Sequence, residues 1–378
     1  MNVNQFQQEL VSYAQSIGID KIGFASSDPF RELKNRLKRQ QELGYQSGFE
    51  EPDLEKRTTP TLLLNEAESI ISIAIAYPSR MENAPQGKKG ERRGIFARAS
   101  WGTDYHTVLR DRLTKLEQFI ASHITDAKTR SMVDTGELSD RAVAQRAGIG
   151  WSAKNCAVIT PEFGSYVYLG EIITNIPFAP DTPMEDECGD CRLCLDVCPT
   201  GALIEGGQLN AQRCIAFLTQ TKTSLPDEFR TKIGNRIYGC DTCQTVCPKN
   251  KGKFNMHQVD FQPDPELAKP LLLPLLKMSN KEFKTKFGHV SGSWRGKKPI
   301  QRNAILALAH FKEESAIPNL IDLLFKDERP VIRGTAAWAI GKIGTKEGRT
   351  ALDQALLTET DAEVVEEIHK GLAFQTVN

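Results

Sequence analysis

Long apolar runs are missing from this 378-residue chain. Its most apolar stretches, 69–77 and 271–276, fall far short of the roughly 20 residues that a membrane-crossing helix needs, so no membrane association is expected. An excess of charge is missing too, since 48 Lys and Arg balance 48 Asp and Glu. A neutral chain has no global field to draw in a polyanion, so any polyanion-binding surface must be local. The opening Met1-Asn-Val-Asn-Gln-Phe-Gln-Gln-Glu lacks the basic and then apolar pattern of an export signal. No G-x-G-x-x-G follows a strand-like segment, which removes the usual nicotinamide fingerprint. What remains is ordinary globular composition, 40% hydrophobic and 25% charged, long enough for two or three domains.

Cysteine carries the strongest signal. Eight of the nine cysteines belong to one pattern. Cys188, Cys191, Cys194 and Cys198-Pro199 form the first run, Cys240, Cys243 and Cys247-Pro248 the second, and Cys214 stands between them. C-x2-C-x2-C-x3-C-P is the spacing of bacterial ferredoxins, where three thiolates of a run hold one iron–sulfur cube and the fourth ligates the other. Cys188, Cys191, Cys194 and Cys247 are therefore expected on one [4Fe–4S] cluster, and Cys198, Cys214, Cys240 and Cys243 on a second. Paired C-x2-C motifs also build structural zinc sites, but zinc requires neither the x3-C-P ending nor eight cysteines in this order. Thiols committed to clusters rather than disulfides point to the cytoplasm. Cys156, the ninth, reads as a small buried apolar residue.

Ahead of the cysteines the chain reads as mixed α/β. Phe6, Leu10, Tyr13, Ala14 and Ile17 keep helical spacing, and Lys21–Ala25 and Ser69–Tyr77 read as strands. A helix is expected over 105–124, a short strand over 132–134 and a helix over 140–147. The runs 156–160 and 165–174 alternate as a strand pair around Pro161-Glu-Phe-Gly164. Behind the cysteines, Pro299-Ile-Gln-Arg302 recurs as Pro330-Val-Ile-Arg333, with a degraded third copy near Asp361. Helical pairs of this kind read as HEAT-like repeats, which need neighbours to bury their faces. The expected organisation is an α/β or α+β domain over 1–174, a bacterial-ferredoxin-like two-cluster domain over 175–255, and a helical repeat domain over 256–378.

Clusters move electrons singly, so a catalyst must do the bond chemistry elsewhere. Asp134 follows apolar Met132-Val133 at a strand-to-loop corner, where burial would keep its carboxyl protonated as a general acid; most such aspartates are merely turn formers. Asp104-Tyr-His106 begins like the D-x-H-x-x-G that gives a histidine to cobalt, but Leu109 stands where the glycine belongs. Between Lys277 and Arg302 lie eight basic residues against one Glu, with Phe283, Phe287 and Trp294 interleaved. That is either a phosphate-tracking surface with stacking rings or a solvated helix and loop.

Together these features resemble the epoxyqueuosine reductase family, cobalamin-dependent iron–sulfur enzymes that complete queuosine in tRNA. The resemblance spans essentially the whole chain. Its carriers are Lys56-Arg57-Thr-Thr-Pro60, Ala97–His106, Asp134-Thr-Gly136-Glu-Leu-Ser-Asp140-Arg141, Ala147–Trp151, Phe217-Leu-Thr219, Tyr238–Gln244 and the repeats. It implies removal of the epoxide oxygen at the wobble nucleotide with two electrons and two protons, and Asp134 as proton donor. It implies a cobalamin bound without a protein histidine on cobalt, lined by Arg57, Ala97, Asp134, Val158, Leu169, Thr221, Cys240 and Asp241. Some relatives carry Cys at the position of Ala97, so a thiolate on cobalt is not available here. Lys222, Lys281, Lys284, Trp294, Arg295, Lys297 and Lys298 would hold the anticodon stem-loop, with a flavodoxin- or ferredoxin-like donor supplying electrons to a monomer. Two other classes share part of the pattern. Reductive dehalogenases join similar corrin and ferredoxin parts but carry export signals, and a ferredoxin-type carrier docking through its repeats would not need about 170 residues ahead of its clusters.

Overall fold

The computed structural model describes residues 2–374. Its contacts sort the chain into two compact units, each assembled from three separate stretches. One comprises Met1–Arg80, Thr103–Cys214 and Asp241–Gln262, and the other Met81–Gly102, Ile215–Cys240 and Pro263–Asn378. The compact units thus interleave the linear segments rather than following them.

The first unit is built on a four-stranded sheet in the order Lys21–Ser26, Ser69–Ala76, Val167–Thr174, Thr129–Met132. Every pairing is antiparallel, which makes this an α+β fold. All eight residues of Ser69–Ala76 are buried, because both faces of this inner strand are covered. That is why its sequence is apolar at every position but Ser69 and Ser72 instead of alternating. One face, carrying Ala25, Ile70, Ala74, Met132 and Ile173, packs on Val143, Ala144 and Ala147 of the helix Asp140–Arg146 and its cap. The other face meets the helix Tyr105–His123: a Cβ at Gly170 would lie 3.3 Å from the side chains of both Leu109 and Leu113. The helix Val3–Ser16 adds Tyr13, stacked 4.2 Å from Phe119. Full burial of each isoleucine in this core contributes about 2–3 kcal/mol.

Two expectations need correcting. The runs 156–160 and 165–174 do not form a hairpin. Val158–Ile159 pairs with Trp151–Ser152, whereas Val167–Thr174 lies inside the main sheet, and only the isolated bridge Thr160↔Gly164 connects them. Cys156 adopts a left-handed φ of 65°, which breaks the alternation, and both edges of Val167–Thr174 are already taken. The strand before Asp134 ends at Met132, so Val133 and Asp134 belong to the loop.

The second unit is helical. Lys297–His310, Pro330–Ile343 and Ala362–Ala373 are the three repeated helices, with Ile317–Lys326 and Lys346–Leu356 between them. The last two repeated helices approach so closely that a Cβ at Gly341 would lie 2.3 Å from the Gly371 Cα. The repeat arginines serve structure. Arg302 is fully buried, and its guanidinium donates to the carbonyls of Leu218, Thr221 and Thr223 at 2.6–2.8 Å. Burial pushes its pKa down to about 9, which still leaves it charged at neutral pH. Asn303 donates to the carbonyls of Thr219 and Ile237. The first repeat helix thereby pins both ends of the insertion between Cys214 and Cys240.

Candidate functional site

In the first unit, the loop after Thr129–Met132 turns back sharply over its own strand. A Cβ at Gly136 would fall 2.6 Å from the Met132 side chain. Asp134 takes a left-handed φ of 51°, a region Asp tolerates better than most residues, and its N–H donates to Asp140 Oδ2 at 2.8 Å. Its carboxyl points outward, with the side chain 60% exposed, and Oδ2 lies 3.5 Å from His106 Nε2. His106 Nδ1 in turn lies 2.8 Å from Asp104 Oδ1. Asp104 caps the helix Tyr105–His123 through the His106 N–H, which swings the imidazole between the two carboxylates.

The charges follow from this geometry. Burial pulls the His106 pKa down, but the bonds to Asp104 and Asp134 outweigh it and push it up to about 9. The His106 bond, against some desolvation and with help from Tyr105, holds the Asp134 carboxyl below its ordinary value. At neutral pH His106 is therefore a cation between two anions. This corrects the expectation that burial keeps Asp134 protonated: the corner is open, and the proton resides on the imidazole. A cavity of about 550 Å³ opens beside the loop, lined among others by Arg110, Arg130, Met132, Val133 and Gly136. Arg57 is half-buried among Glu50, Asp140 and Arg141. Val158 and Leu169 sit in the cluster of side chains under the helix Asp140–Arg146, on the same sheet face as the Asp134 loop.

The same unit gathers thiols. Cys188, Cys191, Cys194 and Cys247 line one cavity of about 60 Å³, walled by Ala153, Ile159, Leu193 and Pro248. Buried Trp151 packs against Cys188 and Cys247, and Lys154 Nζ donates to the Cys191 carbonyl at 3.1 Å. Cys198 Sγ accepts the Ala202 N–H at 3.3 Å. Burial raises the pKa of that thiol, but N–H groups of Leu203, Thr200 and Ala202 outweigh it and leave it lowered, a setting suited to a thiolate ligand. None of the described cysteines forms a disulfide. Cys214 follows the turn Ala211–Arg213, and Cys243 lies in Thr242–Thr245 just after Asp241. Cys156 is half-buried and its thiol is pushed up by burial, away from reactivity.

In the second unit, the strands leading into Ala97 and toward Cys240 lie side by side, and the Ala97 N–H donates to the Tyr238 carbonyl at 2.9 Å. Ile95–Phe96 and Arg236–Tyr238 pair in parallel. Gly239, at φ 71°, lies so close that a Cβ there would stand 2.5 Å from the Ala97 Cβ. Its N–H donates to Thr219 Oγ1 at 2.9 Å, two residues from the Thr221 that Arg302 holds.

The basic stretch divides. Lys281 and Lys284 project from Asn280–Phe287, whereas Phe283 and Phe287 turn inward into the core; these two rings and Arg302 are structural, not RNA-facing. Trp294 is 52% exposed, its indole N–H donates to Gln220 at 2.8 Å, and the Arg295 guanidinium lies 4.9 Å above its ring. Lys222 is exposed two residues beyond Gln220, Lys298 is half-buried, and Lys297 spends its amine on the Met278 carbonyl at 2.8 Å.

Comparison with known proteins follows the same outline. Residues 57–135 match the model described as epoxyqueuosine reductase QueG, DUF1730, residues 187–250 the 4Fe-4S double cluster binding domain, and 296–373 HEAT repeats. The epoxyqueuosine reductase of Bacillus subtilis strain 168 is 69% identical over 98% of this chain and 96% of its own length. The chain belongs to the epoxyqueuosine reductase family. The Escherichia coli K12 epoxyqueuosine reductase is 31% identical over 98% of each chain. A crystal structure of epoxyqueuosine reductase with a tRNA-Tyr epoxyqueuosine-modified stem loop is 67% identical, covers both chains completely and superposes with a TM-score of 0.98. A structure of the Bacillus subtilis epoxyqueuosine reductase with its Asp134 catalytic loop swung out of the active site has a TM-score of 0.97 and 67% identity, over 99% of this chain and 100% of that one. Among the described residues no helix is long and apolar enough to cross a membrane.

Sequence reading missed His106, Asp140 and Glu171 of this epoxyqueuosine reductase family member. The Asp104-x-His106 spacing was visible, but as a failed cobalt motif; its actual use is a cap that aims the imidazole at Asp134.

Proposed function

We infer that this chain reduces epoxyqueuosine in tRNA to queuosine. The observation that carries this reading is full-length likeness to an epoxyqueuosine reductase crystallised with an epoxyqueuosine-modified stem loop, combined with an exposed Asp134 backed by a protonated His106. Incubating the reduced holoprotein with tRNA bearing epoxyqueuosine should remove one oxygen by mass; unchanged tRNA would overturn the reading.

Cys188, Cys191, Cys194 and Cys247 would hold one [4Fe–4S] cluster, and Cys198, Cys214, Cys240 and Cys243 the other. Four thiols around one cavity and the N–H-lined Cys198 sulfur support this assignment. A cobalamin would be lined by Arg57, Ala97, Asp134, Val158, Leu169, Thr221, Cys240 and Asp241. The small side chain of Ala97 against Gly239, and a His106 ring drawn between the Asp104 and Asp134 carboxylates, fit a corrin taking no histidine ligand. When bound, that cofactor would supply low-potential electrons to the epoxide carbon, replenished through the clusters by an external low-potential donor.

Asp134 delivers a proton to the departing oxygen. In the open site it is an anion, so the proton must come from its neighbour. Covering the loop with a nucleotide removes the water that stabilises the His106–Asp134 ion pair. In a drier site the pair relaxes toward neutral imidazole and carboxylic acid, and Asp134 becomes a donor where it is needed. His106 is thus its proton reserve.

The sign of the pH dependence follows. His106 has a pKa raised from 6.5 to about 9, so its stabilising contribution is complete below about 6.5 and is lost as pH rises through about 9. Its size is on the order of 2 kcal/mol, less than the full shift because Asp134 faces solvent. His106→Gln is expected to cut turnover about 10²-fold and to erase both the alkaline loss of activity near pH 9 and the matching drop in melting temperature. An unchanged alkaline limb in that variant would exclude His106 as the reserve.

Lys222, Lys281, Lys284, Trp294, Arg295, Lys297 and Lys298 are proposed to hold the anticodon stem-loop, the exposed Lys281 and Lys284 against phosphates and Trp294 against a base. Charge reversal at Lys281 and Lys284 together is expected to weaken stem-loop binding at least about tenfold and to flatten its salt dependence. A salt slope equal to that of the unaltered protein would remove both from the interface.

A further inference from the structure

Behind the Asp134 loop lies a carboxyl for which the proposed reaction has no direct use. Glu171 is 0% exposed, in the middle of Val167–Thr174. Its register partners are Ser72 on one side and Met132 on the other, and partners in register point to the same face. That face is the one covered by the helix Asp140–Arg146, because Ile70, Ala74, Met132 and Ile173 all pack there. Glu171 is therefore in the core, beneath the helix whose first residue is Asp140. Among the described residues neither of its oxygens has a well-formed hydrogen bond, and Ser72 Oγ beside it has none either. A buried, unpaired carboxylate is far too costly to persist as an anion.

The next carboxyl outward is Asp140. It accepts the Asp134 N–H at 2.8 Å, which is what holds residue 134 in its left-handed conformation. It also adjoins Glu171, whose protonation it favours through a side-chain hydrogen bond and its nearby charge.

We propose that Glu171 is a positioning residue for Asp134: a carboxylic acid kept neutral in the core, whose O–H is given to Asp140, so that Asp140 stays the anion that anchors the Asp134 loop. This deepens the proposed function and rests on Asp134 being its proton donor. The groups that face the pair are few. Asp134 adds negative charge from the loop, Arg141 and Arg57 add positive charge near Asp140, and Ser72 stands opposite Glu171 in register. Burial first, then Asp140 and Asp134, raise the Glu171 pKa well above its ordinary value, while burial and Asp134 raise Asp140 to about 6. Between these limits the pair holds one proton and one charge. Below about pH 6 Asp140 becomes neutral and its hold on the N–H weakens. When pH rises far enough to strip Glu171, two adjoining anions repel and the anchor loosens.

The test is amide hydrogen exchange of residues 133–139 in the full chain, read as protection factors from pH 5.5 to 9.5, without cofactor or tRNA. Glu171→Gln keeps a donor without charge, so it should match the unaltered protein at pH 7 and retain protection at alkaline pH where that protein loses it. Glu171→Leu removes the donor, and should drop protection of 133–139 at least about tenfold while the sheet amides and the melting temperature hold. Isotope-edited infrared spectra of glutamate-labelled protein should show a protonated carboxyl at pH 7 that Glu171→Gln abolishes. Unchanged protection in Glu171→Leu, exchange in Glu171→Gln as fast as in Glu171→Leu, or no protonated carboxyl would each overturn the proposal. None of these readouts requires turnover, so a failure to reduce epoxyqueuosine would leave them intact.

Discussion

Asp134→Asn is expected to lower turnover by at least about 10³-fold, at the upper part of the range for removing a general acid, with stem-loop binding changed less than about twofold. Asn is the informative substitution. It is nearly isosteric and tolerates the left-handed φ of 51° that this corner demands, so the loop keeps its shape and Asp140 keeps the residue-134 N–H. What the amide cannot do is accept a proton from His106 and release it to an oxygen. A bulkier or β-branched replacement would confound chemistry with strain. His106 would retain Asp104 but lose one of its two anions, so its pKa should fall, and nuclear magnetic resonance of the ring would show the fall independently of activity. Single-turnover mass spectrometry on epoxyqueuosine tRNA measures the chemical step, and fluorescence anisotropy measures binding. Undiminished turnover would remove Asp134 from the chemistry, whereas equal loss of binding and turnover would reduce it to a contact.

The same corner shows what sequence could and could not disclose. That residue 134 ends an apolar run at a turn was legible from Met132-Val133-Asp134, because hydrophobic burial is written in residue type. Its charge was not, because whether a strand-end carboxyl is buried or open depends on the turn of the loop, and Gly136 folds that loop back rather than over it. The role of His106 beside Asp134, and Glu171 altogether, were invisible for a related reason. Asp104 and His106 are two residues apart, but Asp134 reaches them only once the sheet is assembled. Glu171 is a lone acid inside an apolar strand, and its neighbour Asp140 is supplied by tertiary packing. The long inner strand Ser69–Ala76 and the repeated helices were readable, since their patterns reflect only local periodicity and burial. The supposed hairpin around Pro161 failed because the strand Val167–Thr174 had better partners far away in sequence, the usual way tertiary pairing overrides local alternation. In the basic stretch, charge counted along the chain placed Arg302 beside Lys298, although one is sealed in the core and the other half-exposed.

Cys247→Ala is expected to remove about half of the iron and essentially all turnover. Cys247 belongs to the second cysteine run, yet it lines the cavity of Cys188, Cys191 and Cys194 from the first. Ferredoxin spacing assigns it that crossed role because a C-x2-C-x2-C segment wraps three corners of a cube and leaves the fourth to a distant thiolate. Alanine there leaves one iron without a protein ligand in a cavity walled by Ala153, Ile159 and Leu193, where water is a poor substitute. The other cluster, on Cys198, Cys214, Cys240 and Cys243, keeps all four proposed ligands. Iron and sulfide analysis should therefore fall to about half rather than to zero, with the broad visible absorbance reduced in proportion. Turnover should fall at least about 10³-fold, because a single cluster interrupts the route from an external donor. Cys156→Ala provides the control, since that thiol lies outside both sets and should leave iron content unchanged. A full iron complement in Cys247→Ala would refute the crossed ligation, and zinc in place of iron in the unaltered protein would refute the clusters themselves. Loss of all iron would mean that the two centres assemble as one unit, with Cys247 as the tie between the runs.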